Sequence, residues 1–81
     1  MSDTGKIITE LESEFVELYK ILKFEGIAES GGAAKQVIAD GLVSVNGVVE
    51  KRKSKKITAG DHIEVSNQII DVIGKNGELD L

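Results

Sequence analysis

The sequence predicts an α+β domain in which two short helices pack on a small, mostly antiparallel sheet of about four to five strands. Three observations predict this fold. Apolar residues recur at helical spacing in two segments, residues 11–24 and 34–38. Apolar, β-branched segments flank Asn46-Gly47, a dipeptide typical of a two-residue hairpin turn. Polar and apolar residues alternate over residues 62–65, as in a strand with one buried face.

The first predicted elements are a strand and a helix. Residues 1–5 are expected to be flexible, and residues 6–9 could form a short edge strand. The first helix has two possible starts, because Thr9 begins a capping-box pattern and Ser13 could also serve as the cap. We favour the shorter helix, from Ser13 to just before Gly26, since glycine is common immediately after a helix and two short helices form a compact pair.

The segment from Ser30 to Gly47 contains a helix start, a helix stop, a strand and a turn in succession. Ser30 is predicted to cap the second helix through its hydroxyl, and Gly31 and Gly32 then leave the first backbone amides open to an anion. The alternative is that the two glycines form only a flexible joint. Gly41 is placed to end the helix with a positive φ angle. The start of the second helix could therefore hold a phosphate.

A basic segment follows the hairpin turn and precedes the last strands. Residues 50–56, EKRKSKK, contain five cations and no apolar anchor. By itself this run is as consistent with a solvated loop as with a binding site. Residues 57–58 resume apolar character, and residues 62–65 and 69–73 are predicted as strands. Residues 74–81 are expected to form a flexible tail.

Length and composition indicate one small domain without thiol or metal chemistry. The chain has 81 residues, 41% of them hydrophobic, no cysteine and a single histidine, His62. A chain of this length suits a single domain, whose core is expected over residues 16–73. The first residues lack the basic and apolar regions of a signal peptide, and the apolar runs are too short to span a membrane. We therefore expect a cytoplasmic protein with no cofactor, no metal and no membrane partner.

The net charge of −4 conceals two regions of opposite sign. Residues 20–60 contain eight basic and four acidic residues, whereas the rest of the chain contains two basic and ten acidic residues. An anionic partner responds to the local charge within a Debye length of about 8–10 Å. A net acidic chain can therefore still present an anion-binding surface.

The order of these motifs resembles a known RNA-binding family. After its first helix the chain contains GIAESGGAAKQVIADGLVSVNGVV, then the basic run, then ITAGDHIEV. This succession resembles the RNA-binding domain first recognised in ribosomal protein S four, also called the alpha-L motif, and the resemblance covers about residues 16–65. The chain is similar to small stand-alone bacterial members of that family, the YbcJ group, which also carry Ser-Gly-Gly before the second helix and a basic run after the hairpin.

The resemblance implies that the face formed by the two helices and the hairpin binds structured RNA, ribosomal RNA or its precursor. Lysine and arginine would supply affinity by displacing counterions from phosphates, and a helix N-terminus would fix the register. The residues implicated in RNA binding are Ser30, Gly31, Gly32, Lys35, Lys51, Arg52, Lys53, Lys55 and Lys56. A monomer with no DNA partner is also expected. We expect no enzymatic activity, because the enzymes of this family carry an additional domain.

The aromatic residues favour folded RNA over single-stranded RNA as the ligand. Phe15, Tyr19 and Phe24 all fall on the first predicted helix, and the spacing of Phe15 and Tyr19 predicts burial. Domains that bind single strands stack the bases on aromatic side chains exposed on a sheet. The predicted strands contain no aromatic residue, so we expect recognition of phosphate geometry rather than of stacked bases.

The other polar residues are interpreted as structural. Lys20 and Lys23 are expected to form ordinary surface pairs, Asn46 to serve the turn, and His62 to lie on an exposed strand. The glutamates of residues 10–17 indicate a solvated helix face, since no nucleophile or metal ligand accompanies them. A protein-interaction module that uses the acidic termini or the hairpin surface is the alternative function. Insensitivity of RNA binding to loss of the basic run would favour it.

Overall fold

The computed structural model describes residues 5–75, which form two helices and seven strands. The helices are α1 (Leu18–Phe24) and α2 (Gly31–Ala39). The strands are β1 (Gly5–Glu10), β2 (Val16–Glu17), β3 (Ser44–Val45), β4 (Val48–Val49), β5 (Lys56–Ile57), β6 (His62–Val65) and β7 (Gln68–Ile73). Most of the two segments predicted to be flexible, namely residues 1–4 and 76–81, lies outside the described residues.

The predicted α+β architecture is confirmed. Five strands form one sheet in the order β1-β7-β6-β3-β4, and β2 pairs with β5 in a separate two-stranded sheet. The pairs are antiparallel except for β1 and β7, which run parallel with Gly5 opposite Gln68 and Glu10 opposite Ile73. The segment predicted as a short edge strand, residues 6–9, is thus part of an edge strand that pairs along its whole length.

The hydrophobic core lies between the helices and one face of the five-stranded sheet. The alternation predicted for residues 62–65 is confirmed, because Ile63 and Val65 are buried while His62 and Glu64 are exposed. Complete burial of each large aliphatic side chain contributes about 1.5–3 kcal/mol. The largest fully buried side chains are Leu18, Ile21, Leu22, Ile38, Val43, Ile57, Ile63, Ile70 and Val72.

The predicted start of the first helix is wrong, because α1 begins at Leu18 and not at Ser13. The Ser13 hydroxyl donates to the carbonyl of Phe15 at 2.8 Å and caps no helix. The competing candidate, Thr9, lies in β1, where its buried hydroxyl donates to the Glu25 carboxylate. Residues 16–17 are instead held in β2 by pairing with β5, which leaves only the following residues free to turn into a helix.

The predicted ends of both helices and the predicted hairpin turn are confirmed. Gly26 and Gly41 each follow the last turn of a helix with φ of +78°, which suits glycine at this position. Asn46 and Gly47 connect β3 to β4 and both have positive φ, as a type I′ turn requires. Asn46 also accepts the backbone N–H of His62 at 2.9 Å, so the turn is tied to β6.

Among residues 5–75 the two helices have seven and nine residues, and neither is long and apolar enough to cross a membrane.

Candidate nucleic-acid interface

The N-terminus of α2 is capped as predicted. Ser30 has extended backbone angles, φ −151° and ψ 168°, and its hydroxyl accepts the backbone N–H of Ala33 at 3.1 Å. The first intrahelical bond runs from the N–H of Ala34 to the carbonyl of Ser30 at 3.0 Å. Among the described residues, the amides of Gly31 and Gly32 meet no acceptor in the hydrogen bonds of this helix start. These two N–H groups and the positive end of the helix dipole can bind an anion.

Tyr19 connects this helix start to the rest of the candidate site. Its half-buried ring lies beside Gly31, where an added Cβ atom would be 3.7 Å from the ring carbon Cε2. The ammonium group of Lys35 lies 4.6 Å from the ring centroid, and that of Lys20 lies 5.9 Å from it. The attraction between an ammonium group and the face of an aromatic ring holds Lys35 next to the helix start.

The segment of residues 51–55, which we call the basic loop, is anchored by its backbone to the N-terminus of α1. The carbonyl of Lys55 accepts the N–H of Leu18 at 2.9 Å, and the carbonyl of Lys53 accepts the N–H of Tyr19 at 3.2 Å. Both amides belong to the first turn of α1, where no intrahelical acceptor exists. The loop therefore supplies the cap that α1 lacks, since the side chain of Glu17 makes no capping bond.

Within the basic loop, Arg52 is tightly paired with Glu50. The Glu50 carboxylate accepts the backbone N–H of Arg52 at 3.0 Å and two guanidinium N–H groups at 2.9 and 3.1 Å. These bonds, first that of the side chain and then that of the backbone, lower the pKa of Glu50 to about 2. Arg52 thus fixes the shape of the loop and contributes less uncompensated charge than the lysines around it.

The other cations of the sequence-predicted set point to different places. Lys35, the backbone of Lys53 and the start of α2 converge on Tyr19. Lys51 extends along Gly41 at the opposite end of α2, where its Cε atom lies 3.2 Å from the position of an added Cβ. Lys56, the first residue of β5, lies over the ring of Phe15 at 4.8 Å from the centroid. The structure therefore brings together part of the predicted set and leaves Lys51 and Lys56 at its margins.

The predicted burial of Phe15 is wrong, and so is its placement on the first helix. Phe15 precedes β2 and is 42% exposed, and it serves as a surface under Lys56. Phe24, at the end of α1, is 81% exposed. Only Tyr19 packs against the core, and it does so in part. Sequence reasoning missed its connecting role, because the neighbours that give it this role come from α2 and the basic loop.

The assignments of Lys20 and His62 agree with the structure. Lys20 forms the expected surface pair with Glu17, with the nitrogen 2.9 Å from the carboxylate oxygen. This bond and a second one from Ser54 of the basic loop lower the pKa of Glu17. His62 is exposed on β6 and bonds to Asp71. Residues 5–75 contain no group of three or more acidic, histidine or cysteine side chains arranged to hold a metal.

Comparison with known proteins places this geometry in context. Residues 9–73 match the S4 domain. The chain is 47% identical to YbcJ of Escherichia coli K12, which is named as an RNA-binding protein, over 58 residues that make up 72% of this chain and 83% of YbcJ. It is 31% identical to RlbA of Bacillus subtilis 168, which is named as a ribosome maturation protein, over 68% of this chain and 78% of RlbA.

Two solved structures share the fold. The solution structure of YbcJ from E. coli, which is described as revealing an alpha-L motif involved in RNA binding, superposes with a TM-score of 0.62 and 40% identity. This match covers 90% of the present chain and 91% of YbcJ. The 30S ribosomal protein S4e of Thermoplasma acidophilum matches with a TM-score of 0.55 over 72% of this chain and 31% of its own. At 22% identity, the second match concerns the fold alone.

Proposed function

The chain belongs to the S4 domain family, and from that premise we propose that it binds structured RNA, ribosomal RNA or its precursor, without catalysing a reaction. Relatives named for RNA binding and for ribosome maturation support RNA as the partner. We further propose that the protein acts as a cytoplasmic monomer and needs no cofactor.

One observation carries the proposed binding mode, namely the position of Tyr19 between two groups of elements that we propose bind phosphate. Its ring lies beside the start of α2 and Lys35, and its backbone N–H donates to the carbonyl of Lys53 in the basic loop. The available N–H groups of Gly31 and Gly32 would donate to the oxygens of one phosphate and set the register. The ammonium groups of the loop would contact phosphates nearby and supply affinity.

The anchoring of the basic loop supports folded RNA as the preferred ligand. Two backbone bonds to α1 and the bonds between Glu50 and Arg52 fix the path of the loop before RNA arrives. Arg52, Ser54, Lys55 and Lys56 border a shallow depression of about 400 Å³ on its surface. A fixed set of cations matches phosphates whose spacing is also fixed, as in a duplex or a junction. A flexible single strand would lose conformational entropy to meet the same set.

The test compares a hairpin-junction RNA with an unstructured oligonucleotide of equal length at one ionic strength near physiological. We expect tighter binding of the folded RNA, and weaker binding of both RNAs by Lys35→Glu. Lys23→Glu makes the same change of charge at an exposed position of α1. It is the matched control and should weaken RNA binding less.

Fluorescence provides a second readout from the same titration. Tyr19 is the only tyrosine, and the chain has no tryptophan, so tyrosine emission reports this residue alone. Equal or tighter binding of the unstructured strand, together with quenching of Tyr19 by a stacked base, would contradict recognition of folded RNA.

A further inference from the structure

A groove next to α1 lies apart from the residues proposed to bind RNA. It has a volume of about 580 Å³ and runs between the segment of residues 9–13 and the side of α1 that carries Lys20 and Phe24. Its floor is apolar and consists of buried Leu11, buried Ile21 and half-buried Val16. We call it the α1 groove.

Phe24 makes the α1 groove unusual for the surface of a small domain. It is 81% exposed, the highest value among the large exposed hydrophobic residues within residues 5–75, and it lines the groove. A single exposed apolar residue needs no explanation, but an exposed aromatic ring beside an apolar groove is typical of a binding surface. The groove can enclose one large apolar side chain while Phe24 covers it from one side.

The charge around the α1 groove is negative. Glu12 lines it, and the Glu25 carboxylate accepts the hydroxyl of Thr9, which also lines it. Lys20 is the one cation that lines the groove among the described residues, and its ammonium group is paired with Glu17 at 2.9 Å. The remaining electrostatic field favours a cationic ligand and repels nucleic acid.

We propose that the α1 groove docks a basic segment of a partner protein, one large apolar side chain flanked by lysine or arginine. The apolar floor and Phe24 would bind the large side chain, and the carboxylates of Glu12 and Glu25 would attract the flanking cations. Basic segments of this kind are typical of the arms of nucleic-acid-binding proteins. The groove would therefore allow this protein to contact RNA and a basic protein at the same time.

The experiment selects ligands for the groove without assuming a partner. A display library of short random peptides is selected on the immobilised full chain and depleted on the Phe24→Ser variant. We expect the enriched peptides to carry a net positive charge and at least one aromatic residue, leucine or isoleucine. The binding of one enriched peptide, after synthesis, is then measured by fluorescence anisotropy with the wild-type chain and each variant.

Matched variants separate the groove from the rest of the surface. Phe24→Ser should weaken peptide binding about tenfold or more, and Glu12→Lys should weaken it most at low salt. Leu42→Ser removes an apolar side chain of similar exposure, 62%, and Glu64→Lys makes the same change of charge on the sheet; both should stay within about twofold of the wild-type. Glu12→Lys also provides an answer should Phe24→Ser prove unstable in a thermal melt.

Three results of the peptide experiment would contradict binding at the α1 groove. No enrichment over the depleted library, enriched peptides of neutral or negative charge, or equal binding by the wild-type, Phe24→Ser and Glu12→Lys chains would overturn the proposal. RNA binding measured on Phe24→Ser should equal that of the wild-type, so failure of the groove proposal and failure of the RNA proposal give different results.

Discussion

The two helices begin in different ways, and the comparison of their N-termini explains the arrangement of the candidate site. In α1 the amides of Leu18 and Tyr19 are bonded to carbonyls of the basic loop. In α2 the cap is the local hydroxyl of Ser30, and the amides of Gly31 and Gly32 precede the first intrahelical bond. The first helix start is occupied by protein, while the second is available to a ligand.

The backbone amides at the two helix starts therefore have different roles. Unsatisfied amides at a helix start attract acceptors of any origin, whether a carbonyl of the same chain or a phosphate oxygen. At α1 they immobilise the cationic loop, and at α2 they offer a binding position near it. Tyr19 joins the two, since its amide is bonded to the loop and its ring packs beside Gly31.

The largest expected effect comes from removing the charge of the basic loop and of Lys56. Replacement of Lys51, Arg52, Lys53, Lys55 and Lys56 by glutamine should weaken binding to every RNA. Each lost phosphate contact should reduce the slope of log K against log salt by about 0.7–0.9. The backbone bonds to α1 do not require these side chains, so the fold should persist in a thermal melt. Salt-dependent titration measures the slope, and an unchanged slope would mean that the phosphates are held elsewhere.

Tyr19→Ala should have the next largest effect, because it separates the two helix starts. A fully buried aromatic side chain costs about 3–5 kcal/mol when reduced to alanine, and a half-buried one should cost roughly 1–3 kcal/mol. Lys35 would also lose its support, so RNA affinity should fall. Tyr19→Phe keeps the ring and should preserve both the stability and the RNA affinity. Urea unfolding and RNA titration of both variants test this, and wild-type behaviour of the alanine variant would contradict the connecting role.

Substitutions at the N-caps of the two helices should have a smaller effect on stability. Ser30→Ala removes the side-chain acceptor of Ala33 and should cost about 1 kcal/mol. Glu17→Ala alters the corresponding position of α1 but leaves the carbonyls of Lys53 and Lys55 in place, so its loss of stability should be smaller. Urea unfolding measures the loss of stability in each of the two variants. Equal losses would contradict this expected difference between the two helix starts.

The smallest expected effect is a pH dependence of the folding stability that arises from Glu50. Its pKa falls from 4.5 to about 2 in the folded protein, because its carboxylate accepts bonds from Arg52. A lowered pKa means that the contribution to stability is complete above pH 4.5 and is lost as the pH falls through 2. The stability difference between the wild-type and Glu50→Gln should therefore narrow over this range in urea unfolding experiments.

Much of the local structure could be predicted from residues close together in the chain. Ser30 caps α2, Gly41 ends it, and Asn46-Gly47 turns the hairpin, each as expected. These features depend on steric limits of the backbone and on bonds within a few residues, so their signals are present in short segments. The same local signals were misleading at Ser13, whose hydroxyl bonds to Phe15 instead.

The fold class, the cap and end of α2, the hairpin turn and the concentration of positive charge in one segment all follow from short segments of the sequence. The start of α1, the exposure of Phe15 and the contacts that join Tyr19 to Lys35 and the basic loop depend on how distant segments pack together. The reason is physical: these features depend on acceptors and packing partners contributed by residues far along the chain, such as the carbonyls of Lys53 and Lys55 that bond to α1. Periodicity and capping patterns describe what a segment can do alone, whereas long-range pairing decides which of those possibilities is used.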